Sequence, residues 1–452
     1  MTRVLFAAAT LALLSPAAGA GGPVVHFSVE PGAAPKPALK YELLPAVEEM
    51  QPGNAAHEYL RCFAEQRVFF FSKESAADRA RYLSMPLADL AKEKLQSYGN
   101  KAIQRADWAA RLDVCDWMTL RSLQTDGTDL LLPELGPLGV LAEALQVRLR
   151  GQVARRQFDE AIHTAKTMFS LARHLGEHPA GSASLLGISV AERTLTSLEE
   201  MVQQPKCPNL YWALTDLPCP LVGIRKGVQG DRALVAADLR PLRADSPMTA
   251  EQMEQVVSRL SGRIAFLREQ AGQPPRNLRA QLKAKIAEAE AVQRARDRLV
   301  AAGCSVAVVK DFSPEQVILL DEKQQYQIRR DEALKLLGLP LWQIESRVVP
   351  LPDRDESGVF QGLVPRVMDF RRTQGHLEQR VALLRDVEAL RLFAAGHGGQ
   401  PPDSLAAAGV PLPDDPFTGK LFAYERNGST ACLRARGASG DLDVSYEITV
   451  RK

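Results

Sequence analysis

Apolar residues recur at steps of three and four through most of the chain, the period of helices that bury one face. Asn54 stands as a cap before a helix carrying Tyr59, Leu60 and Phe63, and Ile103, Ala106, Ala110, Val114 and Trp117 mark a second core-facing helix. The run 68–71 reads either as a helix end against the core or as a brief extended piece. Three helices then follow in succession between residues 138 and 203. Leu138, Leu141, Leu145 and Leu149 mark the first, Ala161, Ala165, Met168, Ala172 and Leu175 the second, and Ile188, Ala191, Leu195 and Leu198 the third. The breaks at Gly151 and at Pro179-Ala180-Gly181 are short, so neighbouring helices are expected to run antiparallel.

Further along, Thr249 with Gln252 and Ser313 with Gln316 spell capping boxes, and Pro314 takes the first helical position, where its missing N–H costs nothing. Residues 205–220 form a Pro-punctuated crossing that carries Tyr211, Trp212 and Leu214 into a core. Residues 281–302, rich in Ala, Lys, Arg and Glu, read as one long exposed helix. The helical pattern resumes over 317–337 and stops at Gly338 and Pro340; the Pro- and Asp-rich stretch 348–362 is the clearest internal boundary. A last helix from Leu377 ends at Gly396, Gly398 and Gly399, after which the period changes to two. Segments 421–426 and 429–434 flank Asn427-Gly428, a two-residue hairpin signal whose register puts Phe422, Tyr424, Ala431 and Leu433 on one face. Leu442, Val444, Tyr446, Ile448 and Val450 alternate with polar residues as a third strand. The expected fold is mainly α, built of antiparallel helical hairpins or a bundle, with a small C-terminal helix and a three-stranded antiparallel meander. Residues 157–162 (Gln-Phe-Asp-Glu-Ala-Ile) resemble the middle of a tetratricopeptide unit, a single match without the repeat that a solenoid requires.

The N-terminus adds a location. Arg3, the apolar run 4–14 and Ala18-Gly19-Ala20 spell a secretory signal cleaved after Ala20. The expected division is signal peptide 1–20, flexible linker 21–38, helical domain 39–240, helical hairpin region 241–347, linker 348–370 and α+β tail 371–452. No later stretch supplies the roughly 20 apolar residues of a spanning helix, so the processed chain is expected to be periplasmic or secreted, with no transmembrane span. Lys+Arg number 56 against 54 for Asp+Glu, a formal charge of +2. Basic stretches such as 276–298 are interspersed with acids, which argues against a nucleic-acid partner, since phosphates need a concentrated basic face. Six cysteines show no C-x-x-C spacing, excluding zinc-ribbon and thioredoxin-type readings. In an oxidising compartment Cys207 and Cys219, across the Pro-rich loop, are the pair to bridge first; the alternative is that the cysteines are small buried apolar residues.

Three phrases carry a resemblance: Pro208-Asn209-Leu210-Tyr211-Trp212-Ala213-Leu214, Pro52-Gly53-Asn54-Ala55-Ala56, and Asp414-Asp415-Pro416-Phe417-Thr418-Gly419-Lys420. Together they resemble an uncharacterised family of exported helical proteins of planctomycete-type bacteria, over most of the chain after the signal. The resemblance implies export and a helical body, and no activity. The tail is also similar to the globular end of type II secretion pseudopilins, where a helix leads through a Pro-containing loop to a small sheet. Those proteins carry an apolar assembly helix at the mature N-terminus, whereas here the helix is internal. The likeness implies calcium ligands at Asp414 and Asp415; the ordinary reading of Asp-Pro is a turn start.

The sharpest motif is His174-Leu175-Gly176-Glu177-His178, which spells H-x-x-E-H and resembles the inverted zinc-protease signature. The resemblance implies zinc on His174 and His178, Glu177 as the catalytic group that activates a metal-bound water, and Glu251 or Glu254 as a third ligand. Gly176 and Pro179 instead place the pair at a helix end, where histidines meet the last carbonyls. Gly396-His397-Gly398-Gly399 reads as a helix stop, His57, His163 and His376 as isolated residues, and Trp108, Trp117, Trp212 and Trp342 as core anchors. No nucleophile elbow, phosphate loop or dinucleotide fingerprint occurs in its required setting. The reading that follows is a non-enzymatic exported scaffold or binding protein of the cell envelope, partnered by envelope proteins and needing no cofactor. Its rivals are a zinc-dependent envelope hydrolase and a secretion-associated assembly subunit.

Overall fold

The computed structural model describes residues 23–127, 130–270, 274, 277–345, 358–360, 363, 367–437 and 442–451. The first element among the described residues is a strand, β1 (Val24–Val29), where a flexible linker was expected. Phe27 and Val29 point inward from it, and only a partner distant in sequence makes the segment a strand. β2 (Gln51–Asn54) follows, then α1 (Ala55–Glu65), α2 (Arg67–Phe71), α3 (Lys73–Ser84), α4 (Leu87–Leu90) and α5 (Asn100–Ala109). Asn54 caps α1 by accepting the Ala56 N–H at 3.1 Å. The helix expected through Trp117 stops at Ala109, because Leu112 takes a place beside Gln51 in β3 (Leu112–Val114), parallel to β2.

α6 (Leu120–Thr125) leads to the three central helices α7 (Leu135–Ala154), α8 (Phe158–Gly176) and α9 (Gly181–Val202). α7 runs straight through Gly151, where a break was expected; Gly151 instead lies against the Leu95 side chain. Nearly every residue of α8 from Thr164 to Ala172 is buried, so this helix forms the axis of the body. α10 (Tyr211–Thr215) plugs the core with Tyr211 and Leu214, and α11 (Arg225–Leu239) closes it.

A second apolar core holds α12 (Ala250–Gln270), α13 (Leu278–Ala287), α14 (Ala289–Ala301), α15 (Val306–Lys310) and α16 (Pro314–Leu334), joined by Val235 and Leu239 of α11. The Thr249 box is reciprocal: Gln252 N–H donates to Oγ1 at 3.2 Å and Thr249 N–H to Gln252 Oε1 at 3.0 Å. Ser313 likewise caps α16, but Gln316 turns away and ties the loop before α12 through Met248 N–H and the Arg243 and Ser246 carbonyls. The single exposed helix expected over 281–302 is two helices bent at Glu288, because Leu282, Ala295 and Leu299 must all reach this core. Of the expected boundary 348–362, only residues 358–360 lie among those described. Val359 and Phe360 are buried in the second core, with Val359 N–H on Glu322.

α17 (Leu341–Glu345) packs Trp342 over Gly419, and Glu345 pairs with Arg372 at the start of α18 (Val367–Gly396). β4 (Ala423–Asn427), β5 (Thr430–Arg436) and β6 (Leu442–Val450) form the expected meander, extended to four strands in the order β1-β6-β5-β4 by the parallel pairing of β1 with β6. The inward face carries Phe422, Ala431 and Leu433 as expected, yet the register is two residues from the one expected. Tyr424 opposes Leu433 rather than Ala431, since Gly428-Ser429 makes the turn with Gly428 at φ 62°. Leu377, Leu383, Val387 and Leu390 of α18 and the inner face of the sheet belong to the same core as α7–α9, so the tail is part of the body. Trp117 is an anchor, but Trp108 and Trp342 are 49% and 42% exposed.

Candidate functional site

The tight turn between α7 and α8 brings two polar stripes face to face. Arg156 adopts φ 58°, and the N–H groups of Arg156 and Gln157 bond back to the carbonyls of Val153 and Gln152, both at 2.9 Å. Arg148 and Gln152, one turn apart on α7, then oppose Asp159, Glu160, His163 and Thr164 on the first turns of α8. A cavity of about 390 Å³ lies between them.

Its walls are set by neighbours. Arg148 donates both Nη groups to the Asp107 carboxylate at 2.8 and 2.6 Å, and the Thr167 hydroxyl donates to the same carboxylate at 2.7 Å. Thr164, fully buried, donates to Gln152 Oε1 at 2.7 Å, which leaves the Gln152 amide N–H groups for other acceptors. Arg111 donates to the Asp107 backbone carbonyl at 2.6 Å and to His163 Nδ1 at 3.1 Å. The same Arg111 Nη2 lies 3.4 Å from His163 Nε2, so the guanidinium faces both ring nitrogens. Partial burial and then the Arg111 charge hold His163 below the usual imidazole value. Asp159 and Glu160 are exposed at the mouth, in the first turn of α8, where the helix dipole favours acids.

The H-x-x-E-H residues are dispersed. α8 ends at Gly176; Tyr59 O–H lies 3.0 Å from His174 Nδ1, and Trp117 Nε1–H donates to the His174 carbonyl at 2.9 Å. His174 keeps some exposed surface, but the packing around its ring desolvates it, which together with the Arg173 charge pushes its imidazole down to about 4. His178, with no exposed surface, sets Nε2 3.1 Å from Glu134 Oε1 and lies 5.4 Å from the Trp117 ring. Glu177 is exposed beside Lys226. Glu251 and Glu254 lie on α12, Glu254 paired with Arg279. Among the described residues no group of three or more His, Cys, Asp or Glu is gathered where a metal ion would sit.

Asp414 is exposed, whereas buried Asp415 accepts N–H groups from Phe417 (3.0 Å), Gln379 (2.9 Å) and Arg436 (3.3 Å). These donors occupy the carboxylate as a turn organiser. Cys207 and Cys219, expected as a bridge, are both free: Cys207 is buried with its thiol on the Pro208 carbonyl and pushed up to about 12 by burial, while Cys219 is exposed. His397 stops α18 by bonding the Phe393 carbonyl at 2.7 Å and stacking on the Phe393 ring.

No family model, curated protein or solved structure matches this chain. The chemistry of the cleft therefore rests on its own residues. Sequence reading missed all six lining residues, passing over His163 as isolated. The available signal was the pairing of polar residues four apart, Arg148 with Gln152 and Asp159 with His163, on helices otherwise buried. Among the described residues no helix is long and apolar enough to cross a membrane.

Proposed function

We propose that the chain is an exported, non-enzymatic binding protein of the cell envelope that holds a small polar ligand reversibly in the α7–α8 cleft. The observation that carries this reading is the open cleft of about 390 Å³ lined by six polar residues, of which Arg148, Gln152 and Thr164 are held in place by their neighbours. A volume of this size falls within the roughly 300–1,000 Å³ of small-ligand sites. Walls fixed before binding spare a ligand the cost of ordering them. Export follows from the signal pattern of residues 1–20 and from the family that the sequence resembles; partners among envelope proteins remain part of the same proposal.

The test is a thermal-shift and calorimetric screen of the purified chain against amino acids, sugars, dicarboxylates and polyamines. At least one class should stabilise the protein and lose that effect in Gln152→Leu and Arg148→Met. A screen without hits, or hits indifferent to both substitutions, defeats the proposal. Stoichiometric zinc that disappears in His174→Ala would replace it with the hydrolase reading.

A further inference from the structure

We propose that Asn427 is an acceptor for N-linked glycosylation, taking an oligosaccharide from a polyprenyl-diphosphate donor at the tip of the β4–β5 hairpin. This rests on the export part of the reading above, since an exported chain is the one that meets such a donor.

The sequence singles out one position. Of the five asparagines, Asn54, Asn100, Asn209, Asn277 and Asn427, only Asn427 has Ser or Thr two residues on, and the residue between is not Pro. Asn427-Gly428-Ser429 is thus the one acceptor triplet of the chain, a pattern that belongs to surface loops of secreted proteins. Glu425 stands two residues before the asparagine, the place where the longer bacterial form of the acceptor carries an acid.

The fold puts this triplet where a glycan can stand. β4 ends at Asn427, β5 begins at Thr430, and all three residues of the triplet are exposed. Ala423, Glu425 and Asn427 are exposed while Tyr424 and Arg426 are half-buried, so Asn427 lies on the face of β4 turned away from the core. Among the described residues its amide has no hydrogen-bond partner, and a Cβ built on Gly428 meets nothing within 4 Å. Asn54 and Asn277, by contrast, cap helices, and Asn209 donates to the Glu388 carbonyl.

The chemistry needs such a free amide. Asn427 Nδ2 attacks the anomeric carbon of the donor sugar; an N–C bond forms, the C–O bond to the lipid diphosphate breaks with its electron pair, and one amide proton leaves. The product also stands at an open edge, because β4 is the outer strand in the order β1-β6-β5-β4. Asn427 and Thr430 close a two-residue turn, so Ala423 and Glu425 direct their backbone groups at β5, and Tyr424 and Arg426 direct theirs outward. Open edges invite pairing with other chains, and a bulky, solubilising glycan at the end of β4 stands against it.

The test is intact-mass measurement of the full chain exported by a bacterial host that carries a membrane oligosaccharyltransferase and its polyprenyl-diphosphate oligosaccharide, with signal cleavage followed separately. The exported chain should be heavier by one oligosaccharide. Asn427→Gln and Ser429→Ala should return it to the bare mass, Ser429→Thr should keep the glycan, and the melts of all three should match the parent's. An exported chain at the bare mass overturns the proposal and leaves export standing, and a glycan that survives Asn427→Gln does the same. A chain retained uncleaved in the cytoplasm overturns both. In light scattering the glycosylated chain should self-associate less than Asn427→Gln; equal association overturns the shielding of the edge.

Discussion

Two guanidinium centres in this molecule are built for opposite ends. Arg391, on α18, is 1% exposed and spends its donors on protein: Glu388 Oε1 at 2.6 Å, the Glu30 carbonyl at 2.9 Å and the Cys207 carbonyl at 2.8 Å. Glu388, fully buried, accepts the Leu210 N–H at 3.0 Å. Segments 30–32, 207–210 and α18 are fastened at this one point. Arg111 has no such enclosure: its donors go to the Asp107 carbonyl and to the ring of His163, which lines the open cleft. The difference teaches where to look for function. Satisfied and buried polar groups hold chain segments together, while groups prearranged but unanswered are available to something else.

The largest effect is expected at the closed centre. Arg391→Met leaves the Glu388 carboxylate buried without a counter-ion, which typically costs about 3–5 kcal/mol. Urea unfolding should show this loss, and Glu388→Leu added to Arg391→Met should recover part of it. A single substitution that costs under about 1 kcal/mol would mean that the clamp does not secure the three segments.

Next comes pH, which separates desolvated from open histidines. The folded His174 imidazole titrates at about 4 against 6.5 in the unfolded chain. The unfolded state therefore binds more protons between those values, and stability falls as pH drops from 6.5 toward 4, by about 3 kcal/mol at most. Asp231, pushed up to about 6 by burial, acts the other way: its contribution is present below 3.8 and lost as pH rises through 6. Comparing the parent with His174→Phe in denaturant melts from pH 7 to pH 4 isolates the histidine. A constant difference across the range would refute the assignment.

The same contrast explains what could be read from the chain. Helix periodicity and the Thr249 box are local and were legible. β1 was missed because Val25, Phe27 and Val29 alternate within a Gly- and Pro-rich context, and their partners Tyr446, Ile448 and Val450 lie at the far end of the sequence. The bend at Glu288 follows from a core that no local window displays. The H-x-x-E-H spelling was legible but what its rings meet was not, since Tyr59 and Glu134, distant in sequence, lie against the two rings. The cleft was illegible for the reverse reason: its residues form no motif until the hairpin faces them.

A smaller effect is expected where the cleft's frame meets α9. A Cβ on Gly187 would come within 2.6 Å of the Ala172 backbone carbonyl in α8. Alanine is the better helix former by up to about 1 kcal/mol, yet backbone must yield to admit it, and overpacking of this kind costs about 1–3 kcal/mol. Gly187→Ala should therefore lower the thermal midpoint; an unchanged or higher midpoint would show that α8 and α9 separate freely.

The smallest effect belongs to the open site. Asp159→Asn and Glu160→Gln remove exposed charges that make no ion pair among the described residues, so the folded state loses only their weak interaction with the α8 dipole, about 0.3–1 kcal/mol each, and, for Asp159, a solvent-screened attraction to Lys40. Chemical denaturation of these variants should remain close to the parent, in contrast to Arg391→Met. A loss above about 2 kcal/mol would show that the two acids serve the fold, and the distinction between the fastened and the unanswered charges would then collapse at the cleft itself.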